Sequence, residues 1–168
     1  MTFAADLLEQ AFHLAERDRG RPKQASLRRA VSAAYYSVFH LVAADAAARF
    51  ASLPALRPAV GRAFEHRKIV AAARAIVSVH RSPRQQQWLL AHLCGAVSDR
   101  LSQFCGGFVE LHQERHIADY DIDAAFTREK ALALVNTAEA AHAAWRAERA
   151  SPNALVFLLV AAGLLADR

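Results

Sequence analysis

Two short stretches of the chain carry side chains suited to chemistry. The first runs Arg28-Arg29-Ala30-Val31-Ser32-Ala33-Ala34-Tyr35-Tyr36-Ser37-Val38-Phe39-His40. Arg29, Ser32 or Ala33, Tyr36 and His40 recur at three- and four-residue steps, so a helix places them on one face. Leu27, Val31, Ala34, Val38 and Leu41 form its apolar face. A polar stripe amid so much alanine is either a buried hydrogen-bond network or the wall of a ligand cleft. The second stretch is His112-Gln113-Glu114-Arg115-His116-Ile117-Ala118-Asp119-Tyr120-Asp121. Helical geometry groups His112, Arg115, His116 and Asp119, and lets Arg115 pair with Asp119 four residues on. Guanidinium, imidazole, carboxylate and phenol together suit phosphate binding or proton transfer. They equally suit an ion pair that closes a helix end.

A metal centre is the weaker expectation. His112 and His116 have ligand spacing, with Asp119 as a third donor. Zinc hydrolases of the His-Glu pattern need a glutamate after the first histidine, where this chain has Gln113, and Arg115 adds repelling charge. No cofactor or metal is expected.

The elements that position these groups read as helices. Apolar residues at helical spacing mark 3–18, closed by Gly20 and Pro22, and a long helix over 24–51, followed by Pro54 and Pro58. A third helix is expected over 59–79, ended by Ser82-Pro83, and a fourth over 84–118, with Gly106-Gly107 marking a kink or a close approach. An acidic turn, Asp119 to Asp123, precedes a fifth helix from Thr127 as N-cap to about Arg149. Ser151 as N-cap and Pro152 at the first position open a sixth. Its apolar run, 154–166, is shorter than the roughly 20 residues of a membrane span and reads as buried in the core or against a partner. Short breaks between long helices predict one antiparallel bundle over 1–168.

Composition agrees with that class. Hydrophobic residues are 54% of 168, with 6 Gly and 5 Pro, which favours long helices over many short strands. Lys and Arg number 21 against 16 Asp and Glu, and the lysines are only Lys23, Lys68 and Lys130. An arginine-rich positive surface is permissive for phosphate partners. Cys94 and Cys105, placed on one helix, lie roughly 16 Å apart at about 1.5 Å per residue and cannot bridge within it. Buried reduced thiols and a cytoplasmic location are expected, as is the absence of a signal peptide from the Met-Thr-Phe start with Asp6 and Glu9 nearby.

The stretch 28–40 and the run Arg115-His116-Ile117-Ala118-Asp119-Tyr120-Asp121, about 75 residues later, together resemble the HEPN domain family. The resemblance covers roughly residues 3–148. It implies a bundle of four or five helices, usually dimeric; that no membrane partner is expected rests instead on the shortness of the apolar run 154–166. It also implies Arg29, Tyr36, His40, Arg115, Asp119 and Tyr120 as ligand-contacting residues that the bundle brings together. Many HEPN domains are metal-independent ribonucleases of toxin–antitoxin and defence systems, with an Arg followed after four to six residues by a His. Here the positions that follow Arg115 at that distance hold Tyr120, Asp121 and Ile122. Arg74 and His80 fit the count but fall on different helix faces. In-line attack by a ribose 2′-hydroxyl needs a group that titrates near neutrality, which His supplies and Tyr, with a pKa of about 10, does not. Variants carrying Ala-Asp-Tyr look more like binding or assembly modules, some paired with nucleotidyltransferase partners. A module for RNA, a nucleotide or a partner protein is therefore the leading expectation. The alternatives are a ribonuclease whose acid–base group is His116, His40 or Tyr120, with Arg115 beside it, and a structural role in which the helix over 151–168 carries the partner contact.

Overall fold

A computed structural model describes residues 2–79 and 81–165. Among them it forms eight α-helices joined by turns and loops, with no strand. The helices are α1 (Phe3–Glu16), α2 (Gln24–Phe50), α3 (Arg57–Ala63), α4 (His66–Ser78), α5 (Gln87–Leu90), α6 (Asp99–Tyr120), α7 (Arg128–Glu148) and α8 (Pro152–Ala161). The count exceeds the five main helices and one short helix expected.

The longest helix, α2, sits at the centre, packed against α1, α3, α6 and α7. Its sequence explains why. Leu27, Val31, Ala34, Val38 and Val42 are buried along one stripe, and Ser32, Ala33, Ser37, Ala43 and Ala47 are buried on its other sides, the pattern of an element covered from several directions. The small residues Ala4, Ala11 and Ala15 are the buried positions of α1, so its backbone can lie close against α2. Hydroxyl caps open four helices: Thr2, Ser98, Thr127 and Ser151 each accept from the backbone N–H three residues on.

Two expected helices are broken, each for a tertiary reason. The run 59–79 divides at Phe64 and Glu65, whose backbones are extended. The break turns Phe64 inward, where it is buried and its ring lies parallel to that of Phe50 at 6.2 Å. It also starts α4 at His66, whose imidazole then meets Tyr35. The run 84–118 becomes a 3₁₀ turn (Pro83–Gln86), α5, a loop and α6. Asn153 of α8 holds that loop, accepting from the Cys94 N–H at 2.8 Å and donating to the Ala96 carbonyl at 3.1 Å. The expectation for the cysteines is corrected accordingly: Cys94 is exposed in the loop and only Cys105 is buried in a helix.

Gly106 and Gly107 lie within an uninterrupted α6. A Cβ on Gly107 would stand 3.3 Å from the Thr137 methyl and 3.6 Å from Ala141, so this glycine serves the close approach of α6 and α7. The apolar α8 packs on α4 and buries Ala154, Val156, Phe157, Leu158 and Ala161. Residues 166–168 of the expected terminal helix lie outside the described residues.

Candidate functional site

The two chemistry-bearing stretches meet along the contact of α2 with α6. Arg28 reaches the carbonyls of Ala118 and Asp121, Ser32 reaches Asp119, and Tyr36 reaches Arg115. Numbers rise along α2 as they fall along α6, so the two helices run in opposite directions at this seam.

At its centre the Arg115 guanidinium donates from Nη2 to the Tyr36 hydroxyl at 2.6 Å and places Nε 2.7 Å from Asp119 Oδ2. The second contact is an ion pair rather than an aligned hydrogen bond, because Nε finds no acceptor in line. Ser32 Oγ donates to the other Asp119 oxygen at 2.5 Å, a length usual for a hydroxyl on a carboxylate. The guanidinium carbon lies 5.3 Å from the Tyr36 ring centre, 5.5 Å from Tyr120 and 5.9 Å from Tyr35, within cation–π range of all three. Only 17% of the Arg115 side chain is exposed. Burial opposes its charge, yet Tyr36, Asp119 and Tyr120 outweigh that and hold its pKa above the ordinary arginine value.

Behind this seam lies a cluster of rings. Tyr35, fully buried, shares a 2.6 Å hydrogen bond with His66 Nδ1. Burial pushes its phenol well above the usual tyrosine range. The His66 imidazole stacks on Phe39 at 3.9 Å, and the His112 ring stands edge-on to Tyr35 at 5.6 Å. Burial, aided by the Arg115 charge, lowers the pKa of both histidines, and burial alone lowers that of His40. Near neutral pH these imidazoles are uncharged, so Arg115 is the dominant positive charge of the cluster.

On the solvent side of the same seam is a groove of about 440 Å³, lined by Ala25, Arg28, Arg29, Ala118, Asp119 and Tyr120. The arginine doublet divides two tasks there. Arg28 donates to the carbonyls of Ala118, Asp121, Ile122 and Ala124, covering the carbonyls at the C-terminal end of α6 and fixing the turn after it. Arg29 is exposed, and among the described residues no hydrogen bond or ion pair holds it. Tyr120 is 63% exposed, and the exposed His116 lies against its ring at 5.0 Å.

The residues singled out in the sequence thus fall into three places. Ser32, Tyr36, Arg115 and Asp119 form one hydrogen-bonded and ion-paired chain, and it is Ser32 rather than the buried Ala33 that joins it. Arg29 and Tyr120 face the groove beside that chain. His40 lies one turn beyond Tyr36, with ring centres 6.3 Å apart, and faces Phe3 and a different, larger groove. His112 turns to Tyr35 and His116 to Tyr120, while Asp119 is engaged by Arg115 and Ser32. Among the described residues no group of three His, Cys, Asp or Glu is placed to hold a metal ion. The pair Arg74 and His80 cannot be placed, since His80 lies outside the described residues. Sequence reasoning passed over His66, which sits mid-helix in the expected 59–79 segment and acquires its role only through the break at Phe64. It also passed over the anchoring by Arg28, for which the doublet itself was the available signal.

Comparison with family models, with curated proteins and with solved structures gives no match for this chain.

Proposed function

We propose that the protein is a HEPN-type binding module that holds single-stranded RNA or a nucleotide in the groove between the start of α2 and the end of α6. The observation that carries this reading is the pairing in one groove of an unengaged guanidinium, Arg29, with an exposed phenol ring, Tyr120, on a rigid floor. A guanidinium grips phosphate bidentately, and an exposed aromatic face stacks an unpaired base. The end of α6 that carries Tyr120 is tied down: Arg28 fixes the turn after it, and Arg115 is clamped between Tyr36 and Asp119. The sequence resemblance and the arginine-rich charge balance support the same reading. It includes a homodimer in the cytoplasm, within a toxin–antitoxin or defence setting, with a nucleotidyltransferase-type protein as partner.

The test is fluorescence anisotropy with a labelled single-stranded RNA of mixed sequence. Binding is expected to weaken with rising salt, as phosphate contacts require. Arg29→Ala and Tyr120→Ala should each weaken it by about tenfold, given that one stacked base is worth roughly 1–3 kcal/mol. Failure of the wild-type protein to bind RNA or mononucleotides contradicts the reading.

A second reading rests on the imidazole of His116 against the groove residue Tyr120. There His116 acts as the acid–base group of a metal-independent ribonuclease. It predicts cleavage of the same RNA, in the presence of a chelator, that His116→Ala abolishes.

A further inference from the structure

A second groove, of about 730 Å³, lies at the other end of α2, between the start of α1, α3 and the end of α7. Its floor is apolar: Phe3, Phe39, Leu41, Ala44 and Phe64 are among its walls. Phe3 is 61% exposed there although it opens an amphipathic helix, with its ring edge-on to His40 at 4.8 Å. The size is that of a small-ligand site.

The polar groups of this groove are almost all of one sign. Arg57, Arg62, Arg146 and Arg149 line it, against a single carboxylate, Asp45. That carboxylate is already engaged, accepting from Trp145 Nε1 at 2.7 Å and from Arg149 at 3.0 Å. Arg57 makes one long contact, 3.4 Å from Nε to the Ala51 carbonyl. Arg62 and Arg146 make no hydrogen bond or ion pair among the described residues. Burial lowers the pKa of His40, the remaining titratable group facing the groove, so it favours the uncharged imidazole there. An apolar trough with unengaged guanidinium groups matches a molecule that is apolar along its length and anionic at one end.

We infer that this groove binds a free anionic amphiphile, an alkyl or acyl chain of about ten carbons ending in a carboxylate. The tail lies along Phe39, Leu41 and Ala44, and the head meets Arg62 and Arg146. The inference stands apart from the RNA reading, since no residue is shared between the two grooves.

Decanoate, below its micelle concentration, is the probe, read by isothermal titration calorimetry and by displacement of a fluorescent apolar dye. Saturable binding is expected, with affinity falling by about threefold for each methylene removed, a little under the value for full burial. Decanol should bind at least tenfold more weakly than decanoate. The double variant Arg62→Glu with Arg146→Glu should lose decanoate by at least tenfold while keeping its hold on the dye, which reports that the groove is still formed. Ala44→Phe, which fills the trough with a ring, should lose both. Decanol binding as tightly as decanoate, or an affinity unchanged in the charge-reversed variant, overturns the inference, as does the absence of saturable decanoate binding. Binding that appears only with vesicles of anionic phospholipid also overturns it, because it assigns the arginines to a membrane surface instead.

Discussion

Two ring clusters stabilise this bundle, and they differ in kind. Phe104 of α6, Trp145 of α7 and Phe157 of α8 pack with centroids 4.8–5.7 Å apart, each fully buried. Their one polar atom, Trp145 Nε1, is capped by Asp45. The second cluster, Tyr35, Tyr36, His66 and His112 around Arg115, has one more aromatic side chain and carries hydroxyls, imidazoles and a charge. Ring packing without polar atoms contributes stability through area and shape and tolerates imprecise orientation. A polar cluster forms only when donors and acceptors align, so it fixes the relative position of two helices at a cost in desolvation. The contrast teaches where function has room to sit: next to the cluster whose geometry is fixed, at the α2–α6 seam.

Truncation separates the two. Phe104→Ala removes a ring from the apolar cluster and should destabilise the fold by about 3–5 kcal/mol in urea unfolding, while the folded fraction binds RNA as before. Arg115→Ala leaves Asp119 without its cation. It should cost about 2–4 kcal/mol and also lower RNA affinity, because the floor under Tyr120 is lost. Tyr36→Phe keeps the ring and removes one hydrogen bond to a charged group, with an expected loss of about 1–2 kcal/mol. Equal effects of Phe104→Ala and Arg115→Ala on RNA affinity, measured on folded protein, would erase the distinction.

Acid should act on the polar side of the comparison. His40, His66, His112 and the buried His142 all have pKa values lowered from 6.5, mainly by burial. The unfolded chain therefore binds more protons, and the stability these groups contribute is complete above pH 6.5 and declines as the pH falls through their folded values. Urea unfolding at pH 8 and at pH 5.5 should show the lower midpoint at pH 5.5. His66→Gln should reduce that difference, and an unchanged difference would place the sensitivity elsewhere. The smallest stability effect belongs to Arg29→Ala, expected within about 0.5 kcal/mol of wild type because the side chain is exposed and unengaged.

What the sequence made legible was local. The limits of α1, α2 and α7 fall within two residues of expectation, and the caps at Thr127 and Ser151 are where hydroxyl chemistry puts them. The Arg115–Asp119 pair followed from helical spacing alone. What was not legible depends on partners distant in the chain. No glycine or proline announces the break at Phe64, which is set by burial of its ring against Phe50. The loop between α5 and α6 is held by Asn153, more than fifty residues away. The division of labour between Arg28 and Arg29 emerges only when the end of α6 arrives, its carbonyls taken by Arg28 while Arg29 is left facing the groove. His40 was placed with Arg29 by its spacing, but α2 is long enough to carry it past the seam to the second groove.

A double-mutant cycle between Tyr36 and Arg115 tests the polar seam most directly. Tyr36→Phe, Arg115→Ala and the combined variant are compared in urea unfolding, with RNA affinity measured in parallel. The bond at 2.6 Å predicts a coupling energy of about 1–2 kcal/mol, so that the second substitution does less harm once the first is present. Strictly additive losses would mean that the two side chains do not depend on each other, and the seam would not be the fixed platform on which the groove is built.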